Sequence, residues 1–293
     1  MRRWAGLSAI LLWGCAGPAR NMDAPAAVPA TVELKTPEGA SVGTLHLEPG
    51  KPPALWPLKT IGGVNVTRAF PFRDDHPGEA HDHPHHRSCW IAHGDVNGVD
   101  FWHDGGRIEH RRLEVSESGA IRVEGDWCTP EGEVLLHSSL EVWARDHFGT
   151  TGREVCMMLD LTPANGPVVF GDTKEGTCAI RLAPQLRLEG QVASGSLENS
   201  NGVQGKAVWG KRSDAIIVSG VVDGSEITLE LTNFGPESAS TRWHARPYGL
   251  IAANPFGDRA FDRSLPARET LLKPDTVIRL MWCIGLRESK VER

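Results

Sequence analysis

No apolar run in this 293-residue sequence is long enough to span a bilayer. The one at the N-terminus, Trp4 to Trp13, has about half of the ~20 residues a spanning helix needs. Helical periodicity of 3.6 residues is scarce beyond the first fifteen positions, which argues against a helical body. Lys and Arg form no block and the net charge is −6, so the concentrated basic footprint of a nucleic-acid binder is missing. There is no C-x-x-C, and the five cysteines beyond Cys15 are an odd, widely spaced set. They imply neither a disulfide framework nor a zinc-thiolate site, and most read as small buried apolar residues. G-x-S-x-G, Walker, Rossmann and H-E-x-x-H patterns are all missing, which removes serine-nucleophile, nucleotide and dehydrogenase chemistry. Tyrosine occurs once, at Tyr248, and aromatics make up only 6% of the chain; that scarcity speaks against a non-catalytic glycan-binding module.

What the sequence does hold is 32 glycines and 20 prolines punctuating short apolar segments rich in Val, Ile, Leu and Trp, the pattern of strands and turns. The fold class expected is all-β: one large antiparallel β-sandwich over residues 31–290. Asp223-Gly224 marks a tight hairpin, and Gly62-Gly63 a second turn. Lys273-Pro274-Asp275 reads as the turn of a last strand pair. Ahead of this domain, Arg2 and Arg3, the apolar run and Leu12-Trp13-Gly14-Cys15 look like a lipoprotein leader ending at an acylated Cys15. Residues 16–30, small and Pro-rich, suit a flexible linker. The expectation is an exported chain that meets the membrane only through its lipid.

Gly78 to Trp102 is the densest chemistry. Five of the twelve histidines fall there (His81, His83, His85, His86, His93), with Asp82, Arg87, Asp95, Asn97 and Asp100 interleaved. Packed this closely, such groups shift one another's protonation and can hold a metal or an anion. In an extended chain His83 and His85 share one face while His86 points away. If a divalent metal is a cofactor, its ligands come from His83, His85 and His93; the competing reading is metal-free acid/base catalysis.

Three later patches look like companions. Asp172 to Gly176 puts Lys174 and Glu175 at a strand-to-turn junction. Asn199 to Gly202, with Trp209, Lys211 and Arg212, mixes amides with an aromatic face suited to sugars. In Trp243 to Gly249, His244, Arg246 and Tyr248 fall at i, i+2 and i+4, on one face if the run is a strand, with Asn254 close behind. A tyrosine beside His and Arg is a candidate proton donor next to an anion clamp.

With DHPHHRSCWIAHGDVNGVDFW, DTKEGT, NSNG followed by GKAVWGKRSD, and WHARPYGL followed by AANPFG, the sequence resembles the bacterial family labelled PmoA-like, or "methane oxygenase PmoA". That label names a membrane subunit, and this chain has no span to match it. The resemblance implies a galactose-mutarotase-like supersandwich exported by polysaccharide-degrading bacteria. Carried over, its matching residues are His83, His85, His86, Arg87, His93, Asn97, Glu175, Trp209, Arg212, His244, Arg246, Tyr248 and Asn254. Cys89 replaces an aliphatic residue, and Leu231 to Phe234 stands in place of an Asp-His-Pro turn.

The combined expectation is a carbohydrate-active enzyme working on a uronate-containing oligosaccharide or polysaccharide, by elimination first and hydrolysis second. Catalysis falls to His86, His93, Glu175, His244 and Tyr248, with Glu175 or Tyr248 as the acid. Binding falls to His83, His85, Arg87, Asn97, Trp209, Arg212, Arg246 and Asn254. The alternatives are a histidine-cluster metalloprotein with oxidative chemistry and a glycan-binding module without catalysis.

Overall fold

The computed structural model describes residues 27–147, 151–235 and 241–290. The leader, Cys15 and most of the linker lie outside the described residues. Strands numbered in chain order run from Thr31 to Lys290 and are all antiparallel. One seven-stranded sheet has the order β1 (Thr31–Lys35), β2 (Ser41–His46), β3 (Ala54–Leu58), β4 (Cys89–His93), β10 (Gly176–Arg181), β15 (Leu250–Asn254), β14 (Arg242–Arg246). The other, of eight strands, has the order β11 (Ser196–Asn199), β12 (Ala215–Val222), β13 (Ser225–Phe234), β17 (Ile278–Lys290), β8 (Gly152–Pro163), β7 (Val134–Asp146), β6 (Ile121–Cys128), β5 (Arg107–Val115). Among the described residues no helix is long and apolar enough to cross a membrane.

Alternation builds the sandwich. In β4 Cys89 and Ile91 enter the core between the sheets, as do Cys178 and Ile180 of β10 and Trp243 and Ala245 of β14. They meet Val155, Leu159, Leu229, Trp282 and Ile284 of the second sheet. Trp127 packs there on Phe101 with ring centroids 4.9 Å apart. At roughly 25 cal/mol per Å² of apolar area, each fully buried tryptophan is among the larger single contributions to stability.

The Asp223-Gly224 hairpin forms as read. Val222 pairs with Ser225, and both turn residues take positive φ, 50° and 81°, as a type I′ turn requires. The last pair does not form. The turn at Lys273 is there, but β16 (Thr270–Leu272) bonds to β9 (Val168–Phe170), and β17 lies between β13 and β8. Apolar β17 fills a central place, and that pairing comes from strands far away in sequence.

The cysteines also differ in part. Cys156 and Cys283, opposite one another on β8 and β17, form a disulfide across 127 residues on the outer face of the second sheet. Cys89, Cys128 and Cys178 are free and buried.

Candidate active site

The other face of the seven-stranded sheet carries the polar chemistry. Register places His46, Ala54, Trp90, Ala179, Ala252 and His244 side by side in one row across β2, β3, β4, β10, β15 and β14. With strands ~4.8 Å apart, the row spans about 24 Å. Three small alanines keep the floor low. Trp102 packs on it, with Phe72 against one part of the cluster and Tyr248 against another.

The histidine stretch arches over this floor as a turn. His86 N–H donates to the His83 carbonyl at 2.9 Å, with Pro84 at the second position, where its fixed φ suits a turn, and His83 at φ 46°. The extended reading is therefore corrected. His83 and His86 stack at 4.7 Å, and His85 stands edge-on to His86 at 4.5 Å and to His103 at 4.5 Å. His86 lies 5.2 Å from Trp90, directly above the row.

Two arginines that sequence reasoning missed hold the turn. Arg68 donates to Asp82 Oδ1 at 2.8 Å and to the carbonyls of Ala80, Asp82, His83 and His86 at 2.8 to 3.2 Å. Burial pulls its pKa down to about 10. Arg181 donates to His86 Nδ1 at 3.0 Å and to Asp82 Oδ1 at 2.9 Å, and its guanidinium sits 4.4 Å over the Tyr248 ring. Burial alone would raise Asp82, but Arg181, His83 and Arg68 keep its carboxyl below the usual range. The readable signal was an arginine ending the otherwise apolar strand GTCAIR, every residue of which is buried.

Arg181 fixes the tautomer of His86. Guanidinium only donates, so Nδ1 accepts and the proton sits on Nε2. Burial, then His85 and Arg181, drives the His86 pKa far below the ordinary imidazole value. At neutral pH His86 is thus a neutral N–H donor and not a proton acceptor, which corrects its expected role in moving protons.

The two distant regions meet. β14 and β15 join through Pro247-Tyr248-Gly249, with Gly249 N–H on the Arg246 carbonyl at 2.9 Å. Tyr248 therefore sits in the turn, not on the strand, and folds back to stack 5.5 Å from His83 and 6.4 Å from His86. His244 and Arg246 stay on the strand's outer face, His244 buried and Arg246 exposed.

Around His244 lie Glu175, Lys174 and two rings, Phe261 at 6.3 Å and beyond it Trp209, 5.5 Å from Phe261. Burial pushes His244 down to about 4, against the pull of Glu175 and a hydrogen bond to the Lys174 backbone. Glu175 is hydrogen-bonded by Lys174 and, at 2.8 Å, by Thr173 Oγ1. Burial opposes them, yet these contacts hold its carboxyl below the usual range. Glu175 is therefore ionised at neutral pH and does not serve as the acid.

Five expected residues do other work. His93 points into the core, fully buried between Phe170 at 5.6 Å and Phe256 at 5.2 Å, because it falls on the inward phase of β4. That parts it from His83 and His85 as a ligand set. The one cluster of three or more metal-ligating groups that draws together among the described residues is Glu154, Cys156 and Cys283, and two of those are disulfide-bonded. Arg87 donates through Nη1 and Nη2 to the Glu48 carboxylate, at 3.2 and 2.8 Å. Asn97 pins Val169, accepting at 2.7 Å. Asn254 accepts from Phe256 and Gly257 and donates to Thr173 at 2.7 Å, so its amide shapes a loop. Arg212 pairs with Asp258, which Arg242 also holds.

The buried imidazole of His93 makes stability depend on pH. Burial pushes its pKa down to about 4, below the unfolded ~6.5, so its contribution is complete above pH ~6.5 and is lost as pH falls through about 4. The loss is on the order of 3 kcal/mol. Denaturant midpoints from pH 7 to 4 should fall steeply, and His93→Leu should shallow that slope by about one proton. An unchanged slope would show that His93 does not titrate with unfolding.

The sequence from residue 38 to 291 matches a family model described as "Family of unknown function (DUF6807)". The chain belongs to this family. No curated protein matches it. Among solved structures it is similar to a beta-arabinopyranosidase, at 10% identity and TM-score 0.48 over 88% of this chain and 40% of that one. It is also similar to the Slr1438 protein from Synechocystis sp. PCC 6803, at 9% identity and TM-score 0.44 over 90% and 96% of the two chains. HI1317 follows at 12% identity and TM-score 0.38, over 88% and 92%. The chain thus spans two fifths of the arabinopyranosidase's length.

Proposed function

We propose that the outer face of the seven-stranded sheet is the active site of a carbohydrate-active enzyme that eliminates across a uronate unit of a glycan. One observation carries the reading: of the buried polar atoms without a hydrogen-bond partner, His244 Nδ1, His85 Nε2 and Trp90 Nε1 gather on this one face beside Tyr248. Natural interiors rarely tolerate such orphans, and a hydroxyl-rich ligand satisfies donors and acceptors together.

His244 is the base. Its ring is neutral at pH 7, and Nδ1 is the nitrogen without a partner. It takes the proton from the carbon beside the uronate carboxylate. A double bond forms to the next carbon, the bond from that carbon to the glycosidic oxygen breaks, and the Tyr248 phenol gives its proton to the departing oxygen. Arg246, exposed at the strand's edge, faces the carboxylate and makes the neighbouring C–H more acidic. His86 Nε2–H, above Trp90 and three strands along the row from His244, bonds a hydroxyl of the saccharide further along the face. Hydrolysis by two carboxyls fits less well, because Asp82 and Glu175 are both held ionised and a protonated acid is needed. Kinship with the PmoA-like group, export and a lipid anchor at Cys15 belong to this same reading.

The test is a screen of the purified protein against uronate-containing oligosaccharides, following the ultraviolet absorbance of a 4,5-unsaturated product. Turnover that disappears in Tyr248→Phe supports the reading. Saccharide binding without product would leave a glycan-binding module in its place.

A further inference from the structure

The far end of the row carries a cavity of about 590 Å³ that no step of the proposed reaction uses. Its wall is aromatic. Trp56 lies two residues along β3 from Ala54, hence on the same outer face, and stacks on Phe72 at 5.3 Å with the rings 10° from parallel. His46, the end of the row, packs on Phe72 at 4.1 Å. The rim is charged but balanced: Arg87 is neutralised by Glu48, and Lys51 by Asp104 at 2.9 Å.

Two cation–carboxylate pairs, each neutral, leave no net charge to select an anion or a cation. An aromatic plane ringed by paired polar groups instead suits a pyranose, whose apolar face stacks while its hydroxyls bond at the edge. Trp56 Nε1, buried and without a partner, is a donor waiting for such a hydroxyl. Pro84 lines the cavity and belongs to the His83 to His86 turn, so one wall serves both places.

We infer that this cavity is a subsite for a neutral sugar unit of the same glycan whose uronate lies over His244 and Tyr248. The substrate is then a mixed chain, with neutral and acidic units read at separate points of one sheet face. This rests on the catalytic reading above and adds to it the composition of the chain bound.

Calorimetric titration of the full-length protein with two probes tests it: aldobiouronic acid, which has one neutral unit, and aldotetraouronic acid, which has three. The wild type is expected to bind the longer probe about tenfold more tightly, and Trp56→Ala to erase that difference, with circular dichroism confirming the fold. Phe72→Leu, which keeps an apolar side chain there, should erase it in part. Equal wild-type affinities, or a Trp56→Ala loss shared by both probes, overturn the subsite and leave the catalytic face standing. Binding of neither probe overturns both.

Discussion

Arg68→Ala is expected to cost about 2–4 kcal/mol of stability, mostly from backbone carbonyls left without a donor and little from the ion pair, whose Asp82 side chain is 39% exposed. The guanidinium serves one carboxylate oxygen and four backbone carbonyls, and its side chain is 3% exposed. Without it the His86 carbonyl is left buried with no donor, and Asp82 keeps only Arg181 and His83. Carbonyls stranded in this way each cost about 1–3 kcal/mol. Arg68→Lys should recover little, because one ammonium cannot reach acceptors spread over seven residues. Denaturant midpoints measure the first effect. Hydrogen exchange over residues 78–88 measures the second, with the turn losing protection while β4 keeps it. A variant within about 0.5 kcal/mol of the wild type, roughly the level of an ordinary surface change, would show that the turn holds itself.

His244→Gln should lower turnover by about 10²–10⁴-fold, the span that positioned acid–base groups contribute. Saccharide binding should change far less, since glutamine keeps a polar side chain at the end of the row. The pH profile adds a sign. The base must be unprotonated, and burial holds His244 at about 4. Activity therefore persists through pH 6 and falls as the solution approaches pH 4, instead of declining near the ~6.5 of a free imidazole. An acid limb centred near 6.5 would mean that the imidazole in use is a solvated one, and would move the base away from β14.

The alternation along each strand, the Asp223-Gly224 turn and the polar-aromatic stretch around His86 were legible because each is written within about ten residues. So was the meeting of that stretch with the segment around Tyr248, since both concentrate the same unusual residue types. What escaped reading depends on partners far apart in the chain. His93 is chemically the equal of His86, yet the phase of β4 turns it into the core, while His86 sits in the turn above the outer face. Arg181 looked like the end of an apolar strand. Its role appears when Asp82, 99 positions away, comes within 2.9 Å. Asn97 and Asn254 have the polarity of binding residues, yet their amides are taken up by neighbouring backbone. The Cys156–Cys283 link has no signature in spacing, because a cross-strand pair can join any two positions that register brings opposite.

That link has a practical side. Bonds of its kind endure in oxidising surroundings and are reduced in a cytosol buffered by glutathione. Protein made in a reducing host would carry five thiols beyond Cys15 where an oxidising one leaves three. A thiol count on the denatured chain therefore reports the history of a preparation before any assay is run on it. The fastened ladder joins the two central strands of the sheet opposite the histidines, so differences in heat resistance between batches should follow that count, while the chemistry at His244 should not.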